Sequence, residues 1–84
     1  MGRGRMTHRH LQPIAVRLHQ DQPIAFQWAD RHYRIAEIVD RWTLRTLWWD
    51  GEVQRTYYQI LTPTWGLYCL FVESGKWYLD TITD

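Results

Sequence analysis

The sequence predicts a small all-β domain. Three observations predict it: short apolar runs alternating with period two, turn residues at hairpin spacing between them, and an aromatic content rich in strand formers. The chain has 84 residues, enough for one domain and not two. The first ten residues, MGRGRMTHRH, carry Arg3, Arg5 and Arg9 with His8 and His10, and no large apolar residue besides two methionines. Residues 1–10 read as a disordered basic tail, because they bury too little surface to offset the entropy of ordering them. Residues 11–84 form the single domain.

Within it, Pro13 to His19 alternates Ile14, Val16 and Leu18 against Ala15, Arg17 and His19, the signature of a half-buried strand. Asp21-Gln22-Pro23 reads as a turn. Ile24, Phe26 and Trp28 repeat the alternation, and Ala29-Asp30-Arg31 is a tight connection. The third run starts at His32. Tyr33 and Ile35 share a face, and Ile38 then falls out of phase, which predicts a bulge or bend near Ala36–Glu37. The spacing of Ile35, Ile38, Val39 and Trp42 also suits a helix. A bent strand to about Trp42 is preferred, because Ile, Val, Tyr and Trp favour strands. Thr43 to Asp50 is open to a short helix.

Asp50-Gly51 is a hairpin signal. Gln54 to Thr62 follows as a strand, with Tyr58 and Ile60 on one face and Arg55, Tyr57 and Gln59 on the other. Pro63-Thr64-Trp65-Gly66 turns the chain. Leu67 to Glu73 is nearly continuously apolar and reads as the central strand, covered on both faces. Ser74-Gly75 is a turn, and Lys76 to Ile82 closes the sheet with Trp77 and Leu79 alternating against Tyr78 and Asp80.

About six short strands with hairpin links imply an antiparallel meander. A sheet this small buries a core best by curling on itself, which also hides its edges. The expected architecture is a partly open SH3-like barrel. The alternative is an open antiparallel sheet with a short helix, or one capped by a second subunit.

Composition narrows the function classes. A net charge of +1 gives no global basic field for nonspecific nucleic-acid binding. Cys69 is the sole cysteine, so no intramolecular disulfide forms, which fits a reducing cytoplasm. No apolar run approaches the roughly 20 residues that cross a bilayer as a helix. There is no GxGxxG and no Walker loop, and Ser74, the one serine, belongs to a turn. His8, His10, His19 and His32 have no metal-ligand spacing, and the acidic residues are scattered. The expectation is no catalytic residue, no metal and no cofactor.

The aromatic doublets carry more information. Trp48-Trp49, Tyr57-Tyr58 and Trp77-Tyr78 each set two large rings side by side in a chain with six Trp and five Tyr. Neighbours on a strand point to opposite faces. One ring of each pair can enter the core. The other must pack under a loop, meet another chain or face water. Tyr57 shares its face with Arg55, and arginine among aromatics is the composition of interface hot spots and of single-strand stacking platforms. Trp48, Trp49, Arg55, Tyr57 and Tyr78 are therefore the candidates for an interaction face.

The string Trp48-Trp49-Asp50-Gly51, then Arg55-Thr56-Tyr57-Tyr58, then Lys76-Trp77-Tyr78-Leu79, resembles the WWDG…R-x-YY…W-x-L pattern of an uncharacterised bacterial domain family. It is also similar to the C-terminal region of ImuB-type proteins, Y-family DNA polymerase relatives without polymerase activity. The resemblance covers roughly Pro13 to Asp84. It implies a protein-interaction module linked to translesion DNA synthesis or DNA repair, and it supplies no catalytic residues. The expected function is thus a non-enzymatic module with a protein partner, a DNA repair or replication component, or a second copy of itself. The alternative is a single-stranded nucleic-acid binder that uses the same rings and the basic tail.

Overall fold

A computed structural model describes residues 7–49 and 51–83 of the chain. Seven strands form: β1 (Thr7–His19), β2 (Gln22–Trp28), β3 (Arg31–Arg34), β4 (Glu37–Trp48), β5 (Gly51–Leu61), β6 (Leu67–Glu73) and β7 (Lys76–Thr83). They make one antiparallel sheet in the order β3-β2-β1-β7-β6-β5-β4.

The turns explain the pairing. Gln20–Asp21 and Ala29–Asp30 each place two consecutive residues at positive φ, as do Ser74 and Gly75. Two such residues make the tight hairpin turn whose twist matches that of the strands it joins. Gly75, at φ 78°, occupies the backbone region that glycine enters without a Cβ clash. The turn between β5 and β6 is held by Thr62, whose hydroxyl accepts from the Gly66 amide at 2.9 Å. Gly66 is needed there for space: a Cβ would lie 2.8 Å from the Tyr68 ring.

The bend expected near Ala36–Glu37 becomes a complete change of partner. β3 pairs with β2 and β4 pairs with β5, so the one bent strand of the sequence reading is two strands at opposite edges of the sheet. The Ile35 amide bonds Ile24 O at 2.9 Å, and the next amide, Ala36, bonds Leu61 O at 2.8 Å. Two residues therefore join the two edges, and the sheet must curl to bring them together. The aromatic contacts record the curl. Phe26 of β2 and Tyr33 of β3 each lie 5.4 Å from the Tyr68 ring of β6. In a flat sheet β2 and β6 would be about 14 Å apart, three strand spacings.

The sheet is nevertheless not closed into a barrel, because β3 and β4 form no ladder with each other. The open antiparallel sheet replaces the SH3-like barrel, and it does so without a helix among the described residues. Thr43 to Trp48, where a helix was an option, continues β4 against β5. Three β-branched or aromatic residues of that stretch, Thr43, Thr46 and Trp48, suit that outcome. The centre of the sheet is β7, and β6 lies beside it. The reading of β6 as covered on both faces holds: Cys69, Leu70 and Phe71 are consecutive and all buried. β1 starts at Thr7 and pairs with β7 through Thr7↔Thr83, His8↔Ile82 and Arg9↔Thr81. Strand β1 thus takes in residues 7–10 of the expected tail, while residues 1–6 lie outside the described residues.

The inner, concave face holds the main core: Phe26, Tyr58, Ile60, Leu70 and Leu79, with Ile14, Val16, Trp28, Tyr33, Ile38, Trp77 and Ile82 packed against them. Large rings let so few residues suffice. Each removes roughly 150–250 Å² from water, about 4–6 kcal/mol before entropy is charged. Leu70→Ala should cost about 2–5 kcal/mol and Ile60→Val about 0.5–1.5 kcal/mol, because both side chains are fully buried. Urea unfolding followed by near-ultraviolet circular dichroism checks both values.

Candidate interaction face

The hairpin registers fix what lies on the convex face. Trp42 is opposite Tyr57, Tyr57 is opposite Phe71, and Phe71 is opposite Tyr78. One aromatic ring per strand therefore stands in a row across β4, β5, β6 and β7. Trp42 and Tyr57 stack at 5.4 Å with planes 2° apart. Tyr57 and Phe71 are 5.2 Å apart, tilted by 41°, and Phe71 and Tyr78 stack at 5.0 Å. Cross-strand aromatic pairs of this kind stabilise a sheet by about 0.2–1 kcal/mol each beyond what small residues provide.

Arg55 lids the row. Its guanidinium carbon lies 4.6 Å from the Phe71 ring centroid. Its Nε donates to Glu73 Oε1 at 2.6 Å, and its Nη1 donates to the Tyr57 hydroxyl at 3.5 Å. Those hydrogen bonds, to Tyr57 first and Glu73 second, raise the Arg55 pKa above its ordinary value. The result is a second, smaller core of Tyr57, Cys69 and Phe71, flanked by Trp42 and Tyr78. Burial pushes the Cys69 thiol up to about 11, with the nearby Asp80 charge adding to the effect and a hydrogen bond to Thr81 opposing it.

The structure thus treats the five candidate residues unequally. It brings Arg55, Tyr57 and Tyr78 together around Phe71. Tyr57 is only 8 % exposed, so both rings of the Tyr57-Tyr58 doublet are buried, one on each face of the sheet. Trp77 turns inward, 5.3 Å from Tyr58, and Tyr78 turns outward onto Phe71. The outward rings pack against one another, which buries Tyr57 and leaves Trp42 and Tyr78 half-exposed. Trp42 and Phe71 complete the row and were not among the candidates. Counting back from the two-residue turn of the β4–β5 hairpin would have placed Trp42 opposite Tyr57. Phe71 was hidden in a run apolar on both faces.

Trp49 stands apart. Gly51 to Arg55 pair with β4 alone, since the β5–β6 ladder begins at Thr56↔Val72. The end of the β4–β5 hairpin is therefore a two-stranded ribbon that projects past the sheet. At its tip Trp49 is 95 % exposed, and Leu47 is 83 % exposed. Trp48 pairs with Gly51 in the ladder; its side chain and Asp50 lie outside the described residues. Arg45 and Glu52 pair on the ribbon at 3.8 Å, a solvent-exposed contact of small energetic weight. Among the described residues no three His, Cys, Asp or Glu side chains gather where they could hold a metal ion. No helix among them is long and apolar enough to cross a membrane.

Fold and face together define a single-sheet β domain with an aromatic ladder on its convex side and a projecting apolar hairpin tip. A family model described as a domain of unknown function (DUF6504) matches residues 6–84, and the chain belongs to that family. None of the curated proteins and none of the solved structures matches it.

Tyr57→Ala should destabilise the domain by about 3 kcal/mol, because it opens the middle of the ladder. Tyr57→Phe, which loses one long hydrogen bond, should cost less than about 1 kcal/mol. Chemical denaturation of the two variants separates packing from hydrogen bonding. Cys69 should remain a thiol through pH 8 and react with iodoacetamide far more slowly in the folded than in the unfolded chain. Its raised pKa favours the folded state below pH 9, and that advantage should fade as pH rises from about 9 towards about 11. Alkylation rates and melting temperatures across that range test the sign.

Proposed function

We propose that this domain is a non-enzymatic protein-interaction module whose partner grips the tip of the β4–β5 hairpin. The observation that carries the reading is the near-complete exposure of Trp49 and Leu47 on a ribbon that has no third strand. An apolar tip of this kind contributes nothing to the two cores, and tryptophan is the residue most enriched in binding hot spots. The ladder behind it gives the hairpin a rigid base at Trp42 and Tyr57. The resemblance to the C-terminal region of ImuB-type proteins favours a partner from the translesion-synthesis or DNA repair machinery, met in the cytoplasm. Base stacking on the ladder is the less favoured use, because Tyr57 and Phe71 are covered by their neighbours and by Arg55.

The test is affinity capture of purified translesion-synthesis proteins by the wild-type chain and by Trp49→Ala. The substitution should weaken capture roughly 30-fold or more, the size of a central hot spot. It should leave the melting temperature unchanged, since the tip lies outside both cores. Equal capture by both chains rejects the tip as the binding element, and no capture by either rejects this class of partner.

A further inference from the structure

We propose that the convex face of β1–β3 binds a phosphate group, carried by a nucleotide-sized ligand, between Arg17 and Arg34. The site is separate from the hairpin tip and rests on different residues. Register places Arg17 opposite Ala25 and Ala25 opposite Arg34, so the two arginines flank an alanine in one row across three strands. The next row on that face is Ala15, Gln27 and His32. These six residues, with Val16, Phe26 and Tyr33 of the same strands, line an open depression of about 470 Å³, and no carboxylate lines it. The volume lies within the range typical of small-molecule sites, roughly 300–1,000 Å³.

The spacing suits a tetrahedral anion. Two strand separations put the arginine backbones about 9.5 Å apart. A phosphate between them can take one forked guanidinium on each side, with N···O distances of about 2.7–2.9 Å. Ala25 keeps the space between them open, where a longer side chain would fill it. Neither arginine forms an ion pair or a side-chain hydrogen bond among the described residues. Arg41, Arg45 and Arg55 of the other half of the sheet do have side-chain partners: Tyr58, Glu52 and Glu73 respectively. Two unpaired guanidiniums at this spacing repel each other, and an anion between them relieves the repulsion. Gln27 and His32 add hydrogen-bonding capacity beside the two arginines, and the methyl groups of Ala15 and Ala25 offer a flat apolar floor for the body of the ligand.

The experiment uses the full chain labelled with ¹⁵N and follows backbone amides by NMR during titration with adenosine monophosphate and, separately, inorganic phosphate. The amides of Ala25 and Gln27 should shift saturably with the nucleotide, and inorganic phosphate should compete with it. Arg17→Gln and Arg34→Gln should each weaken nucleotide binding about tenfold or more, the loss of one charge-assisted pair. Arg45→Gln, on the far hairpin, should leave the affinity within about twofold. All three substitutions are on exposed side chains, and the same spectra report whether the fold is kept. Absence of a saturable shift with both probes overturns the proposal, as does unchanged affinity in Arg17→Gln and Arg34→Gln. Saturable shifts with a single-stranded oligonucleotide alone also overturn it, since the depression would then be part of an extended nucleic-acid track.

Discussion

A single sheet has two faces, and among the described residues there is neither a helix nor a second sheet to cover them. Every other feature of the domain follows from that constraint. An apolar side chain on either face must find cover from the sheet itself. The concave face obtains it by curling, until rings on β2 and β3 touch a ring on β6. The convex face cannot use curvature, because curling spreads its side chains apart. It obtains cover laterally instead, by stacking one large ring per strand and laying Arg55 over the row.

The two solutions are mechanically linked through the doublets. Tyr58 and Trp77 serve the inner core while Tyr57 and Tyr78 serve the outer row, so adjacent residues pin β5 and β7 from both sides. β6 between them carries Cys69, Leu70 and Phe71, three consecutive buried side chains. This makes the β4–β7 half the one packed on both faces. The β1–β3 half has a lined face only on the concave side. Its convex surface carries Ala15, Ala25, Gln27 and His32 beside Arg17 and Arg34, and is left as an open depression. The functional readings divide along the same line: the doubly packed half supports a projecting hairpin, and the thinner half offers an open charged surface.

Local strain sits at connections and at one bulge inside β1. Leu11, Ala29 and Trp65 adopt positive φ without being glycine, at a bulge in β1, a hairpin turn and a loop respectively. Each costs on the order of 1–2 kcal/mol. Small domains have little stability to spare, so such positions persist only where the surrounding ladders over-determine them. The Ile35–Ala36 link is the most consequential connection, because its two amides bond to opposite edges of the sheet.

The all-β class and the faces of most strands were legible in the sequence alone. Alternation is local and has period two, so Tyr58 and Ile60 were legible as one face and Arg55 and Tyr57 as the other. Turn residues at 50–51, 63–66 and 74–75 likewise marked where the chain reverses. The phase slip between Ile35 and Ile38 was legible too, as a bend. That the bend hands the chain from one sheet edge to the other emerges from the folded sheet. That outcome depends on pairings between residues distant in sequence, such as Ala36 with Leu61. The fate of the doublets was decided at the same level. The period-two rule says that Tyr57 and Tyr78 point away from the core, but it does not say what stands beside them. Cross-strand register put Trp42 and Phe71 there, which buries Tyr57 and half-buries Tyr78. Trp49 stays exposed, because the ribbon beneath it has no third strand to bring a covering ring.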